Sequence, residues 1–151
     1  DCILVGRGLA APSLMHAFYS QGSSFVVVGT GSLSSCSRVA AGIWNPVVFK
    51  RMTASWMAPE LIPELMRFYQ DCEKRLNTKL ITLRQIVKPF TEDQEKALWT
   101  KKAHEELAPF LVENIQYNMA GLEGLRIANG YGLVECGGNL DVRTYIDATA
   151  A

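Results

Sequence analysis

The chain has 151 residues, of which 48% are hydrophobic and 20% are charged, a length that allows one globular domain or one domain and part of a second. Its 15 basic and 15 acidic side chains give a net charge of zero, which removes the main reason to expect nucleic acid as a partner, because phosphate binding needs surplus lysine and arginine. No apolar run approaches the ~20 residues of a transmembrane helix.

The chain begins with an apolar segment, Cys2 to Val5, followed by Gly6-Arg7-Gly8 and a helix-forming sequence. This pattern predicts a short buried strand, a glycine turn and a helix N-terminus, which together present backbone N–H groups to a phosphate. Gly6 permits the tight turn, and Gly8 lets the backbone approach a pyrophosphate because it carries no Cβ. Ala11 takes the third small position, where the helix lies close to its strand.

The next residues complete one βαβ unit. The helix is expected to end at Gly22, since glycine favours the left-handed conformation found at helix ends, and Phe25-Val26-Val27-Val28 is typical of a strand buried on both faces. Strand, turn, helix and strand fit within the ~30 residues of such a unit. A βαβ unit with a tight turn and no ligand is the alternative interpretation.

The end of the second predicted strand lacks an acidic residue. Dinucleotide sites place an Asp or Glu there, where it accepts hydrogen bonds from the adenosine ribose. No acid occurs between Gly22 and Val48, and Thr30 is the nearest polar residue. Thr30 offers one neutral hydrogen bond instead of a stronger charge-assisted one.

A second candidate site follows in the segment from Ser32 to Arg38, which we call the serine–arginine segment. It contains four serines and leads into Ala40-Ala41-Gly42. Hydroxyls, backbone amides and one guanidinium would form an anion cradle, and the three small residues would let a flat ring lie against the backbone. The alternative is a serine-rich loop followed by a short helix.

Together, the stretches Ile3 to Ala11 and Ser35 to Val47 resemble flavin-dependent oxidoreductases of the D-amino-acid oxidase and glycine oxidase superfamily. The resemblance implies FAD as the cofactor and the oxidation of a small-molecule amine, such as an amino acid, by hydride transfer to the flavin. It implies a set of cofactor-binding residues, with no catalytic residue or metal ligand assigned: Gly6, Gly8, Leu9, Ala11, Thr30, Ser35, Ser37, Arg38, Ala40, Ala41 and Gly42.

Members of that superfamily are more than twice as long as this chain, so the resemblance implies that the chain is an N-terminal fragment of a longer enzyme. The expected fold class is α/β, with a Rossmann-like FAD-binding portion at 1–78 and the start of an α+β substrate-binding portion at 79–151. We expect the fragment to be inactive by itself, and its exposed sheet edge to favour self-association.

Hydrophobic spacing predicts the elements that follow the two motifs. A helix starts at Ala58, a strand covers 80–88, and Thr91 with Gln94 has the spacing of a capping box for a helix from 92 to about 107. The remaining expected elements are strands at 115–118, 125–128 and 131–135, a hairpin turn at Asn129-Gly130, and a last helix capped by Asn139 or Asp141.

The cysteines Cys2, Cys36, Cys72 and Cys136 share no C-x-x-C spacing. This favours free thiols in a reducing cytoplasm over a disulfide framework or a zinc site. Two other functions stay open. One is an NAD-dependent dehydrogenase built on the same βαβ unit, which leaves the serine–arginine segment without a role. The other is a binding module that kept the fold and lost the cofactor.

Overall fold

A computed structural model describes residues 1–30, 35–118 and 128–150 of the chain. The helices are α1 (Ala10–Ser20), α2 (Cys36–Val39), α3 (Ala58–Leu76), α4 (Asp93–Ala103) and α5 (Val142–Ala150). The strands are β1 (Cys2–Val5), β2 (Phe25–Val28), β3 (Ile43–Trp44), β4 (Val47–Val48), β5 (Thr53–Ala54), β6 (Ile81–Leu83), β7 (Ile86–Pro89), β8 (Tyr131–Val134) and β9 (Gly138–Leu140).

The chain forms two compact units. The first consists of Asp1–Gly42, Arg67–Ile81 and Asn139–Ala151, and the second of Ile43–Met66 and Thr82–Gly138. The mixture of helices and strands agrees with the coarse fold class. The functional division at residue 78 stays a prediction.

The first unit contains the βαβ arrangement that the sequence predicts. β1 and β2 pair in parallel, with Ile3 opposite Val26, and α1 connects them. Gly22, just beyond α1, has a φ of 66°, the left-handed conformation expected at a helix end. Gly6 has a φ of 112°, so the turn after β1 requires glycine. Because these two strands form a sheet of their own, the larger Rossmann-like arrangement stays a prediction.

The prediction that β2 is buried on both faces is wrong, and β1, predicted as a buried strand, is exposed on one face as well. Alternate residues of the two strands share one face, and their exposure ranges from 53% at Val28 to 86% at Val5. On the other face, Leu4 is buried and the Phe25 ring lies 6.1 Å from the ring of Phe18 in α1. The run of β-branched residues favours a strand whether or not both faces are covered, so the composition overstated the burial.

Helix α5 packs in the first unit although it lies far along the chain. Asp141 Oδ1 accepts the Thr144 N–H at 3.0 Å and so caps α5 as predicted. The Tyr145 ring stacks on the His16 ring at 5.7 Å, and Thr149 Oγ1 lies 3.1 Å from His16 Nε2. Since the Thr149 hydroxyl donates its hydrogen to Tyr145 O, it must accept from His16, so neutral His16 carries its proton on Nε2.

The second unit has its own hydrophobic core, centred on Trp99 of α4. This side chain is fully buried, its indole N–H donates to Val112 O at 3.0 Å, and the Phe90 ring lies edge-on at 5.5 Å. β7 and β8 are antiparallel, with Ile86 opposite Val134, and further buried members of the core are Leu107, Phe110 and Leu111.

Two predicted elements of this region have different bounds. The strand expected at 80–88 is divided into β6 and β7. Between the two strands, the Arg84 N–H donates to Gly137 O, and β7 then pairs with β8. The helix expected to reach residue 107 ends at Ala103, and the chain continues through short turns such as that closed by Glu105 N–H and Lys102 O.

The predicted capping box at the start of α4 is wrong. The backbone N–H and the hydroxyl of Thr91 both donate to Glu95 Oε2, at 2.6 and 2.9 Å, and no side chain caps the helix. Lys88 Nζ lies 2.7 Å from Glu95 Oε1, and the hydrogen bonds from Lys88 and Thr91 lower the pKa of Glu95 to about 2. Glu95 rather than Gln94 therefore holds the segment before α4, because its carboxylate accepts several hydrogen bonds at once.

The strands predicted after Pro109 are present in part. The segment 131–135 corresponds to β8, whereas 115–118 contributes a single bridge between Gln116 and Tyr131. Residues 125–127 of the expected hairpin lie outside the described residues. Within residues 1–30, 35–118 and 128–150, the helices are too short or too polar to span a membrane.

The packing of His16 predicts a pH dependence of stability. Burial, and secondarily the charge of Arg75, lowers the pKa of His16 below its usual 6.5. As the pH falls through 6.5, the unfolded chain takes up this proton before the folded chain does, so the free energy of unfolding decreases towards the lowered pKa. His16→Gln keeps an N–H donor for Thr149 and removes the titration, so urea unfolding across this pH range should show a smaller decrease.

The matched control is His104→Gln, which removes the other histidine of the chain. The difference between the two variants isolates the contribution of His16. An unchanged pH dependence in His16→Gln would contradict a buried, neutral His16.

Candidate functional site

The glycine turn and the serine–arginine segment meet at the N-terminus of α1. Leu9 N–H donates to Ser37 Oγ at 3.1 Å, so a hydroxyl from α2 satisfies one of the first N–H groups of α1. A Cβ at Gly8 would lie 2.9 Å from Ser37 Oγ, closer than real side chains approach. A side chain at position 8 would therefore have to displace the Ser37 hydroxyl that accepts the Leu9 N–H.

A cavity of about 270 Å³ lies in the first unit at this junction. Five of the predicted site residues line it: Gly8, Ala11, Thr30, Ser35 and Arg38. Two others, Leu9 and Ser37, form the hydrogen bond at the helix N-terminus. The other lining residues are Arg7, Pro12, Met15, Val27, Ile146, Thr149 and Ala150.

The hydroxyl of Ser35 gives independent support for a polar ligand in this cavity. Ser35 Oγ is buried and has no hydrogen-bond partner in the described part of the chain. Leaving such a group unpaired costs about 1–3 kcal/mol, and a phosphate oxygen is a strong acceptor for it. With Gly8 and the N-terminus of α1 alongside, the chemistry of the site fits the pyrophosphate of a dinucleotide.

Arg38 is held at the cavity by an acid from α5. Its Nη2 contacts Asp147 Oδ1, and its side chain is 16% exposed. This hydrogen bond raises the pKa of Arg38 and lowers the pKa of Asp147, so both groups remain charged at neutral pH. Arg143 Nε lies 4.0 Å from the second oxygen of Asp147. The planar guanidinium of Arg38 suits a phosphate, and Asp147 restricts where it lies.

Gly6 lies in the turn after β1 and does not line the cavity, and neither do the last three predicted site residues, Ala40, Ala41 and Gly42. Ala40 and Ala41 are exposed. Gly42 has a φ of 66°, and a Cβ there would lie 2.1 Å from Leu140 O. Its glycine is therefore required by a contact within the chain. Contact of these three residues with a flavin stays a prediction.

Sequence reasoning missed the contribution of α5 to the cavity. Ile146, Thr149 and Ala150 line it, and their spacing of three and four residues places them on one side of the helix. The sequence contained a signal for the helix itself, since Asp141 caps it. It contained no motif that indicates which other elements α5 packs against.

The second unit contains a separate cavity of about 410 Å³, next to Cys136. The Trp44 indole N–H donates to Cys136 O at 2.8 Å. Elsewhere, burial raises the pKa of the Cys72 thiol, which disfavours the reactive thiolate.

Among the described residues, no group of three or more His, Cys, Asp or Glu side chains is suited to a metal ion. These features assign no catalytic residue.

No protein-family model matches the chain. Among solved structures, it resembles iminodiacetate oxidase (IdaA) from Chelativorans sp. BNC1, with a TM-score of 0.63 and 12% identity over 99% of this chain and 43% of that one. It also resembles an open form of a variant of NikD, an unusual amino acid oxidase essential for nikkomycin biosynthesis, with a TM-score of 0.56 and 15% identity over 99% of this chain and 39% of that one. The chain shares its fold with these oxidases and spans less than half of their length.

The contact between Gly8 and Ser37 predicts a coupled pair of substitutions. Gly8→Ala should reduce the free energy of unfolding by about 1–3 kcal/mol through overpacking against Ser37 Oγ. Ser37→Ala should cost about 1 kcal/mol through loss of the acceptor for Leu9 N–H. The double variant has no hydroxyl to clash with, so its cost in urea unfolding should be smaller than the sum.

Gln21→Ala, combined with Gly8→Ala, provides the control pair, because it lies at the other end of α1 and should add to Gly8→Ala without coupling. Strictly additive costs for Gly8→Ala and Ser37→Ala would show that the two motifs do not touch.

Proposed function

We propose that the chain forms the nucleotide-binding part of an FAD-dependent oxidoreductase that acts on an amino acid or related amine. The observation that carries the proposal is the cavity at the N-terminus of α1, where Gly8, Ser35 and Arg38 come together. The fold shared with an iminodiacetate oxidase and an amino acid oxidase supports an oxidase of the same kind.

Several groups at the cavity each contribute to binding the pyrophosphate. The N-terminus of α1 contributes the positive end of its dipole, and Gly8 allows a phosphate to approach the backbone. Ser35 donates from its buried hydroxyl, and Arg38 supplies a positive charge that Asp147 keeps in position. Apolar side chains such as Met15 and Ile146 complete the lining and exclude water from part of the ligand.

Bound FAD would supply the redox chemistry by accepting a hydride from the carbon next to the substrate nitrogen. The contribution of this chain is to bind and orient the nucleotide end of the cofactor. The chain spans 43% and 39% of the two oxidases it resembles, so the substrate pocket of the whole protein is proposed to include residues outside these 151.

Because this chain is proposed to bind only the nucleotide end of FAD, we predict that the 151-residue chain binds FAD weakly and does not turn over an amine. The nucleotide end has a local site, whereas the isoalloxazine ring would remain largely in water. Each ~100 Å² of apolar ring surface left exposed costs about 2.5 kcal/mol of binding free energy. Flavin fluorescence titration should therefore give an FAD affinity at least ~10-fold weaker for this chain than for the full-length protein in the same buffer.

The full-length protein provides the decisive comparison. After reconstitution with FAD and removal of free flavin, it should retain flavin absorbance. Loss of all flavin would contradict the proposal, and tighter binding of NADH than of FAD would favour a dehydrogenase instead. Equal FAD affinity of the two chains would show that the first 151 residues form the entire flavin site.

A further inference from the structure

One face of the β1–β2 sheet is apolar and exposed to solvent in this chain. Ile3 lies directly opposite Val26, and Val5 lies directly opposite Val28, so the four side chains form one continuous patch. Their exposed fractions are 68%, 61%, 86% and 53%, in that order. We call these four residues the open sheet face. Contiguous apolar surface marks an interaction site in soluble proteins, whereas single exposed apolar residues need no explanation.

The opposite face of the same sheet is covered by α1. Leu4 is buried there, and the Phe25 ring lies 6.1 Å from the Phe18 ring of α1. Parallel sheets occur almost only with both faces covered, because the helices that connect their strands lie on the faces. Within the described residues, β1 and β2 pair only with each other. The sheet therefore has the composition of a buried element and is covered on one side only.

The end of α5 lies in the same unit as this sheet. Ala150, the last residue of α5, and Val27 of β2 line the same cavity. The chain spans 43% and 39% of the two oxidases whose fold it shares, so a protein of their length has ample polypeptide beyond residue 151. Such polypeptide would start beside the sheet. A second copy of this chain fits less well, because a stable interface takes roughly 20–30 residues from each partner.

We propose that the open sheet face is the docking surface for the polypeptide that follows residue 151 in the full-length protein. The docking segment presents apolar side chains to the face, and removing both surfaces from water stabilises the contact. The inference concerns how the two parts of the protein assemble, and it goes beyond the proposed cofactor chemistry.

Cysteine labelling of the variant Val26→Cys tests this coverage directly. For each protein, the labelling rate after unfolding in urea serves as the reference. In the 151-residue chain, the thiol at position 26 should react within about 10-fold of the reference rate, because its side chain is exposed. In the full-length protein it should react at least ~100-fold more slowly than in the 151-residue chain, because reaction then requires local opening.

The buried thiol of Cys72 provides the control within the same molecule. It is 1% exposed and should react slowly in both folded proteins. Mass spectrometry of the digested proteins assigns the label to each position. Val5→Cys, at the most exposed position of the open sheet face, is the second reporter, and circular dichroism establishes that each variant is folded.

The outcomes distinguish the possible occupants of the face. Fast labelling at position 26 in both proteins would overturn the inference, and slow labelling in both would contradict an open face in this chain. Protection in the full-length protein that is lost on dilution, together with a dimer in analytical ultracentrifugation, would assign the face to a second copy and overturn the proposed occupant. Labelling does not depend on flavin, so retention of FAD by the full-length protein still tests the proposed function separately.

Discussion

The hydrogen bond from Leu9 N–H to Ser37 Oγ brings together the two parts of the candidate site. It joins the first turn of α1 to α2, and it does so at Gly8, where a Cβ would lie 2.9 Å from the hydroxyl oxygen. The glycine turn and the serine–arginine segment therefore depend on each other for their positions. A glycine turn alone could hold a phosphate, and the segment at α2 adds Ser35 and Arg38 to the lining of the cavity.

The second constraint comes from α5. Asp147 binds Arg38 on α2, and Thr149 accepts a hydrogen bond from His16 on α1. These two contacts attach the same helix to both motif-bearing helices of the first unit. Because Thr149 also lines the cavity, the packing of α5 and the shape of the ligand site cannot be altered independently. The nucleotide-binding function proposed for the N-terminal motifs thus involves residues near position 150.

Local signals in the sequence predicted the first unit well. A βαβ arrangement, the end of α1 before Gly22 and the cap at Asp141 all follow from backbone preferences of a few neighbouring residues, and the structure confirms them. The junction of the glycine turn with Ser35 and Arg38 was expected from the resemblance of two separated stretches to one superfamily of flavin-dependent oxidoreductases. It could not have come from spacing alone, because spacing does not show which segments meet in space.

Features that depend on distant contacts were missed. Burial of the β1–β2 sheet was overestimated because β-branched residues favour strands even where one face is exposed. The reason for glycine at position 42 lies in its contact with Leu140, almost one hundred residues further along the chain. Likewise, the sequence offered Thr91 and Gln94 as a capping pair, but Glu95 can also reach Lys88 and forms the stronger set of hydrogen bonds.

We propose above all that the cavity at the N-terminus of α1 binds the adenine nucleotide end of a cofactor. It is tested most directly by mapping backbone amide chemical shifts of the 151-residue chain during titration with ADP. If the cavity binds this ligand, saturable shifts should be concentrated at Gly8, Leu9, Ser35 and Arg38, with smaller shifts at Thr149 on α5. Unchanged amide shifts up to millimolar ADP, or shifts concentrated around the Cys136 cavity of the second unit, would contradict it.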